Sequence, residues 1–305
     1  MASPLTSKDF VRLLDDRLLK VYTEQRDILP VIVDQFYTKV TENRAWLEYF
    51  TMGSIPDPAE FNGTITYQGM SPGYHVKIEP KEYAGGLVVE RRLLDTERYD
   101  IIETQTKKLA RAANRKINKI AHEPFAYHDS TQFTFLTHEA SEALCANTHA
   151  SKSGLRTSGY DNLMGLPFNY TNLEACRIQA VGFRDDIGER VQNNFDTILH
   201  PTNLAEEVWQ VLNAQKEPDQ MTNNENFARG RWKAIELPYL DDYDTTDWMV
   251  VDASAMKENL IWHEAVSPEF MSTTDFDTLM RKYADYFVVG WGWIDWPWIL
   301  SNSCS

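Results

Sequence analysis

Hydrophobic and polar residues alternate along this chain in two rhythms, one helical and one extended. Phe10, Leu13, Leu14, Leu18 and Val21 share one face of a helix that begins after Ser7. Ile28-Leu29-Pro30 interrupts it, because proline removes an amide donor and restricts its predecessor. Further on, Phe61 to Met70 and Tyr74 to Val89 read as two extended segments joined by a turn at Ser71-Pro72-Gly73. In Thr64-Ile65-Thr66-Tyr67 and Tyr74-His75-Val76-Lys77-Ile78 neither face collects enough apolar surface to form a core side. A hairpin this polar is marginal alone, so it is expected to lie on something else. A long helix follows from near Asp95-Thr96. Ile102, Leu109, Ala113, Ile117 and Ile120 form its apolar stripe. Running from Thr96 to Ala121, it would span roughly 39 Å.

The rest of the chain mixes both rhythms. Phe125 to Leu136 reads as extended and aromatic, and Thr137 or Ser141 as the start of a short helix containing Ala140, Leu144 and Cys145. Thr148 to Leu166 is rich in Ser, Gly, Asn and Asp, which predicts an exposed loop. Thr171-Asn172-Leu173-Glu174 has the form of a capping box opening a helix with Leu173, Cys176, Ala180 and Val181 on one side. A turn is expected at Asp185-Asp186-Ile187-Gly188, a strand at Phe195 to Leu199, and a helix with Leu204, Val208 and Leu212. Asn213 to Arg231 is a polar loop. Trp232 to Leu237 and Trp248 to Val251 read as paired strands about a turn at Asp241 to Asp244, and Ile261 to Val266 as a further strand. The chain closes on an aromatic run from Tyr286 to Leu300, in which Gly290 and Gly292 permit close backbone approach or a bulge.

Charge changes this picture at one place. The long helix carries Asp95, Glu97, Asp100 and Glu103 early, then Lys107, Lys108, Arg111, Arg115, Lys116 and Lys119 with no acid among them. Two readings fit: the order complements the helix dipole, or the basic half meets an acidic neighbour or packaged nucleic acid. Overall, 30 basic against 45 acidic residues give a formal charge of −15, which argues against tight sequence-independent binding of nucleic acid. The N-terminus has no apolar signal core, and no apolar run is long enough to span a membrane. The sequons at Asn62 and Asn169 are therefore read as chance. Three widely spaced cysteines, Cys145, Cys176 and Cys304, suit reduced thiols in a cytoplasm.

Candidate chemistry is thin. His138, Cys145 and His149 lie within twelve residues, and the last two would share a helix face. A zinc site needs three or four ligands at workable spacing, and His138-Glu139 lacks the second histidine of the metalloprotease helix. His122 and His128 flank Glu123-Pro124-Phe125. No nucleotide-binding glycine loop or nucleophile elbow occurs, and acidic pairs such as Asp185-Asp186 and Asp241-Asp242 fall in turns. No catalytic, cofactor or metal residue is expected, and no enzyme.

The order of these pieces resembles the major capsid proteins of tailed phages with the fold first described for phage Hong Kong ninety-seven. The resemblance covers essentially the whole chain. It rests on Tyr83-Ala84-Gly85-Gly86-Leu87-Val88-Val89-Glu90-Arg91, on Phe195 to Pro201 with its following helix, and on Gly290-Trp291-Gly292-Trp293-Ile294-Asp295-Trp296. It is nearest to the short versions in phages related to the Mu-like head subunit. The resemblance implies an α+β fold: an N-terminal arm (1–51), an extended hairpin loop (52–90), a peripheral domain with the spine helix (91–136 and 259–287) and an axial domain (137–258 and 288–305). It implies hexamers and pentamers closing an icosahedral head around double-stranded DNA held without sequence-specific contact. Implied partners are copies of the same chain, a separate scaffolding protein, a portal and a decoration protein, with assembly in the host cytoplasm. No membrane partner is implied. Candidate subunit-contact residues are Phe61, Tyr67, Tyr74, Lys77, Lys81, Arg111 and Arg115. Some relatives cross-link through an arm lysine, but no cross-link is expected at Lys77 or Lys81. Relatives often carry arginine after the last tryptophan of the closing motif, where this chain has Pro297. With about 50 residues ahead of the arm, no large cleaved scaffolding segment is expected. The other readings are a cellular nanocompartment shell of the same fold and a soluble metal-dependent hydrolase using His138, Cys145 and His149. On the shell reading, hairpin and leader helix stay unfinished until copies of the chain complete them.

Overall fold

A computed structural model describes residues 7–28, 32–65, 67, 69, 72–95, 99–131, 142–149, 161–218, 224–275, 277–278 and 280–304. The chain opens with helix α1 (Ser7–Ile28) and a single turn α2 (Val33–Phe36), then strands β1 (Thr38–Val40) and β2 (Leu47–Met52). Strands β3 (Pro72–Ile78) and β4 (Lys81–Val89) follow, then a short helix α3 (Arg91–Asp95) and the long helix α4 (Tyr99–Ala126). The second half holds β5 (Leu163–Met164), α5 (Tyr170–Val181), β6 (Thr197–His200), α6 (Ala205–Asn213), β7 (Lys233–Glu236) and β8 (Trp248–Val251). It ends with α7 (Ala253–Asn259), β9 (Leu260–Thr274), β10 (Arg281–Trp293) and β11 (Ile299–Asn302).

Three sheets result. One has four strands in the order β1-β9-β10-β4, one five in the order β5-β11-β8-β6-β7, and the third is the pair β2-β3. Helix α4 lies across the four-stranded sheet and buries Ile102, Thr106, Ala110, Ala113, Ile117 and Ile120 along one stripe. Over 28 residues it is about 42 Å long. Its described course starts at Tyr99 and carries Pro124 in its last turn.

The leader helix is not unfinished. Leu14, Leu18 and Tyr22 are buried: Leu14 and Leu18 pack with Val89, Ile102 and Tyr283, and Tyr22 stacks on Phe270 at 5.0 Å. Polar contacts fasten it further: Arg17 pairs with Glu103, Asp15 with Arg281, and Asn114 Nδ2 donates to the Arg26 carbonyl. The partner that completes this amphipathic face is the chain's own long helix and sheet.

Other expectations are corrected. The hairpin strands are β2 and β3, not Phe61–Met70 and Tyr74–Val89; residues 61–65 form no strand. Tyr74–Val89 breaks at Glu79-Pro80, because Pro80 has no amide to donate, and its halves enter different sheets. Strands β7 and β8 do not pair with each other; β6 lies between them, parallel to β7 and antiparallel to β8. Phe125 belongs to α4, and residues 142–149 carry no helix, so Cys145 and His149 share no helix face. Residues 132–141, with His138, lie outside the described residues. The helix cap at α5 is Asn169, whose side chain accepts from the Asn172 amide, two residues before the start of the expected box at Thr171. The closing aromatic run is two strands, β10 and β11, in two different sheets.

Candidate functional site: a tryptophan hub and an exposed ribbon

The tryptophans of the closing run form the junction between the two larger sheets. Trp291, Trp293, Trp296 and Trp298 are all buried within one core that extends through both sheets. Trp291 Nε1 donates to Glu123 Oε2 at 2.9 Å, fixing the end of α4 on β10, and Trp298 Nε1 donates to the Asp295 carbonyl at 2.7 Å. Trp296 stacks on the His149 ring at 4.2 Å and meets Phe183 edge-on. Pro297, the departure noted in the sequence, offers its carbonyl to Asn193 Nδ2 at 2.5 Å, so the tight turn from β10 to β11 is held from outside. At Gly290 an added Cβ would lie 2.8 Å from Pro80 Cα and 3.1 Å from the Glu79 carbonyl oxygen. Close backbone approach, one of the two roles expected there, is the one seen.

The histidine and cysteine cluster has structural work. His149 Nε2 donates to Asn162 Oδ1 at 3.0 Å, and that oxygen also accepts from the Ala146 amide at 2.8 Å. Asn162 Nδ2 donates to the Leu144 and Ile299 carbonyls. This amide is fully buried, although its segment reads as an exposed loop. A single asparagine among polar neighbours carries no sequence signal of burial. Burial pushes the Cys145 thiol well above its usual range, with Asp129 adding to it, so it is a poor thiolate. Cys176 is pushed up to about 11 by burial, against the lowering effect of its bond with Asn302. No group of metal-ligating side chains occurs among the described residues.

A second buried group escaped sequence reading. Asp285 lies in mid-β10 opposite Gly85, is almost wholly buried, and its Oδ1 has no hydrogen-bond partner. An added Cβ at Gly85 would lie 2.6 Å from that oxygen. The glycine pair in the Tyr83–Arg91 motif therefore makes room for a carboxyl group, which burial holds above the usual carboxylate range.

The ribbon β2-β3 is divided. At its base Leu47, Val76 and Ile78 are buried with Ile261, so it owns a small core that the sequence does not reveal. Its outer part does not. Phe50 is 68% exposed, Met52 72%, Phe61 71% and Tyr67 89%. The loop after β2 touches the body where the Ser54 amide donates to Asp186 Oδ1 at 2.8 Å. Of the other candidate contact residues, Tyr74 is half-buried on β3, and Lys77 pairs with Glu79 and lies 4.4 Å over the Trp46 ring. Lys81 is exposed at the start of β4. Arg111 donates to Gln25 Oε1 at 3.1 Å, an internal contact, while Arg115 is exposed. Elsewhere in the basic half, Lys119 lies 3.9 Å from Asp242 and Lys116 lies over the Tyr83 ring.

A profile of the family described as phage capsid protein matches residues 74–302, three quarters of the chain and both larger sheets except β1. The chain belongs to the phage capsid protein family. Among solved structures, the capsid protein is similar to the procapsid of bacteriophage JBD30, with TM-score 0.53 and 13% identity over 98% of this chain and 76% of that one. It is similar to a chain of Microbacterium phage Oxtober96, with TM-score 0.56 and 10% identity over 90% and 91%. It also matches the virus-like particle from Pyrococcus furiosus at TM-score 0.53 and 8% identity, over 94% and 98%. No curated protein matches it. Family and fold together make it a major capsid protein of the Hong Kong ninety-seven type, at home in the virion shell.

Proposed function

We propose that this capsid protein builds hexamers and pentamers of an icosahedral head enclosing double-stranded DNA, and that the outer part of the β2-β3 ribbon carries the contact between neighbouring subunits. The supporting observation is the exposure of Phe50 and Met52 on β2 and of Ile55, Phe61, Ile65 and Tyr67 in the segment after it. Exposed apolar patches of that kind mark interaction sites, and burial by a sister subunit would supply what the ribbon's tip lacks. Phe61 and Tyr67, with Tyr74, Lys77 and Lys81, are its contact residues, and Arg115 with Arg111 is the contact on the spine helix. The four-stranded sheet with α4 is the peripheral domain and the five-stranded sheet the axial domain. Strand β10 lies in the four-stranded sheet along its whole length, from Arg281 past position 287 to Trp293. A scaffolding protein, a portal and decoration proteins complete the head in the host cytoplasm, and the subunit performs no catalysis.

Phe50→Asp with Tyr67→Asp tests the ribbon. Expressed with the scaffold, the wild type should give closed particles by negative-stain microscopy. The double variant should stay as dispersed subunits with wild-type circular dichroism. Normal shells from the double variant would remove the ribbon from the contact. Wild-type particles loaded with protein cargo and no DNA would favour a nanocompartment.

A further inference from the structure

Just ahead of β7 the chain makes an exposed aromatic turn, residues 227–231, to which shell-building as described gives no role. The turn stands on a fixed footing. Asn226, almost wholly buried, accepts from the Ala228 amide at 2.9 Å and donates through Nδ2 to the Val211 and Ala214 carbonyls at the end of α6. The Arg229 amide donates to the Asn226 carbonyl, and the Arg231 amide to that of Ala228. Phe227 projects from this frame, 56% exposed, with the Arg231 guanidinium 4.8 Å from its ring centre and that of Arg177 at 5.7 Å. Both oxygens of Glu174 accept from Arg177, which fixes that cation in place. Ile178 on α5 and Trp209 on α6 are exposed as well.

Arginine set against aromatic rings is the composition of protein contacts that become buried. Charge then selects the partner. Residues 226–233 hold Arg229, Arg231 and Lys233 and no acid, in a chain of net charge −15, and all three are exposed. Residues 53–67 are their complement, with Asp57 and Glu60 and no base, both acids exposed among Ile55, Phe61, Ile65 and Tyr67. The basic half of α4 fits that segment less well. Its Arg111, Lys116 and Lys119 already meet Gln25, Tyr83 and Asp242 of the same chain, and no large apolar side chain from Lys107 to Lys119 is exposed.

We infer that the Phe227–Arg231 turn is the seat on which a second copy of this chain lays residues 53–67, with Asp57 and Glu60 meeting Arg229, Arg231 and Lys233. The inference rests on the ribbon being the contact between subunits and names the surface that receives it. Opposite charges set the register, and the exposed rings supply the apolar burial. Because the two patches differ, the contact runs head to tail, the arrangement that closes into rings.

Charge exchange tests it. Expressed with the scaffold, Arg229→Glu with Arg231→Glu should lose closed particles by negative-stain microscopy while keeping wild-type circular dichroism. Adding Asp57→Arg and Glu60→Arg to the same chain should restore them. Co-expressing the arginine-reversed chain with one carrying only the two acid reversals should give assemblies that neither forms alone, since each then meets opposite charge on the other. Normal particles from the arginine-reversed chain would overturn the inference, as would a loss that the acid reversals do not repair. Repair within one chain but not by mixing would place the contact inside a subunit and overturn it too. Should Phe50→Asp with Tyr67→Asp disperse the subunits while the arginine reversal leaves shells intact, the ribbon keeps its role and only the seat named here fails.

Discussion

Gly290 shows how one missing methyl group sets the junction between strands. Its Cα faces backbone atoms of Glu79 and Pro80, and backbone has no rotamer into which it can retreat. Gly290→Ala is therefore expected to destabilise the subunit by about 1–3 kcal/mol, the usual cost of overpacking. Chemical denaturation with an unchanged m-value would check it. Gly85 differs, because its close neighbour is the end of the Asp285 side chain. Part of this was readable beforehand: a glycine in a strand of large apolar residues signals close backbone approach or a bulge. Which of Pro80, a partner strand or a bulge supplies that approach depends on contacts between distant segments. Asn162 and Asp285 show the same limit, since nothing adjacent in the chain marks either as buried.

Elements were legible where periodicity alone decides them. The 3.6-residue stripe gave α4 and α1, and short apolar or aromatic runs beside turn residues located β6, β8 and the closing strands. Pairing was not legible, because partners such as β2 and β3 are separated by residues 53–71, and β6 inserts between β7 and β8. Nor did the pattern say what α1 packs on. Its apolar face fits a neighbour as well as it fits the chain's own helix. Leu18 lies fully buried between α4 and the four-stranded sheet. Leu18→Ala is expected to cost about 2–5 kcal/mol, the range for deleting a packed leucine side chain. Limited proteolysis should then cut within Ser7–Ile28 faster than in the wild type, with the rest of the subunit still resistant. Unchanged protection of that helix would mean its hold is mainly the polar one through Asp15, Arg17 and Arg26.

At the scale of the whole molecule, the net charge of −15 matters more than any single ion pair. Bringing many such subunits together concentrates like charge, and salt screens it over about 10 Å at 0.1 M. Raising salt from about 50 to about 300 mM should lower the subunit concentration at which shells form, as followed by light scattering. A rise instead would mean that attractive ion pairs between subunits dominate the contact.

Strands β9 and β10 are aligned for most of their lengths, from Leu260 opposite Trp293 to Thr274 opposite Arg281. Load applied along that axis strains the whole ladder at once, whereas load applied at the turn end opens it rung by rung. The subunit is consequently a directional spring, stiff lengthwise and yielding to peeling. A wall pressurised from within would resist rupture best where its tiles are stretched lengthwise along this pair.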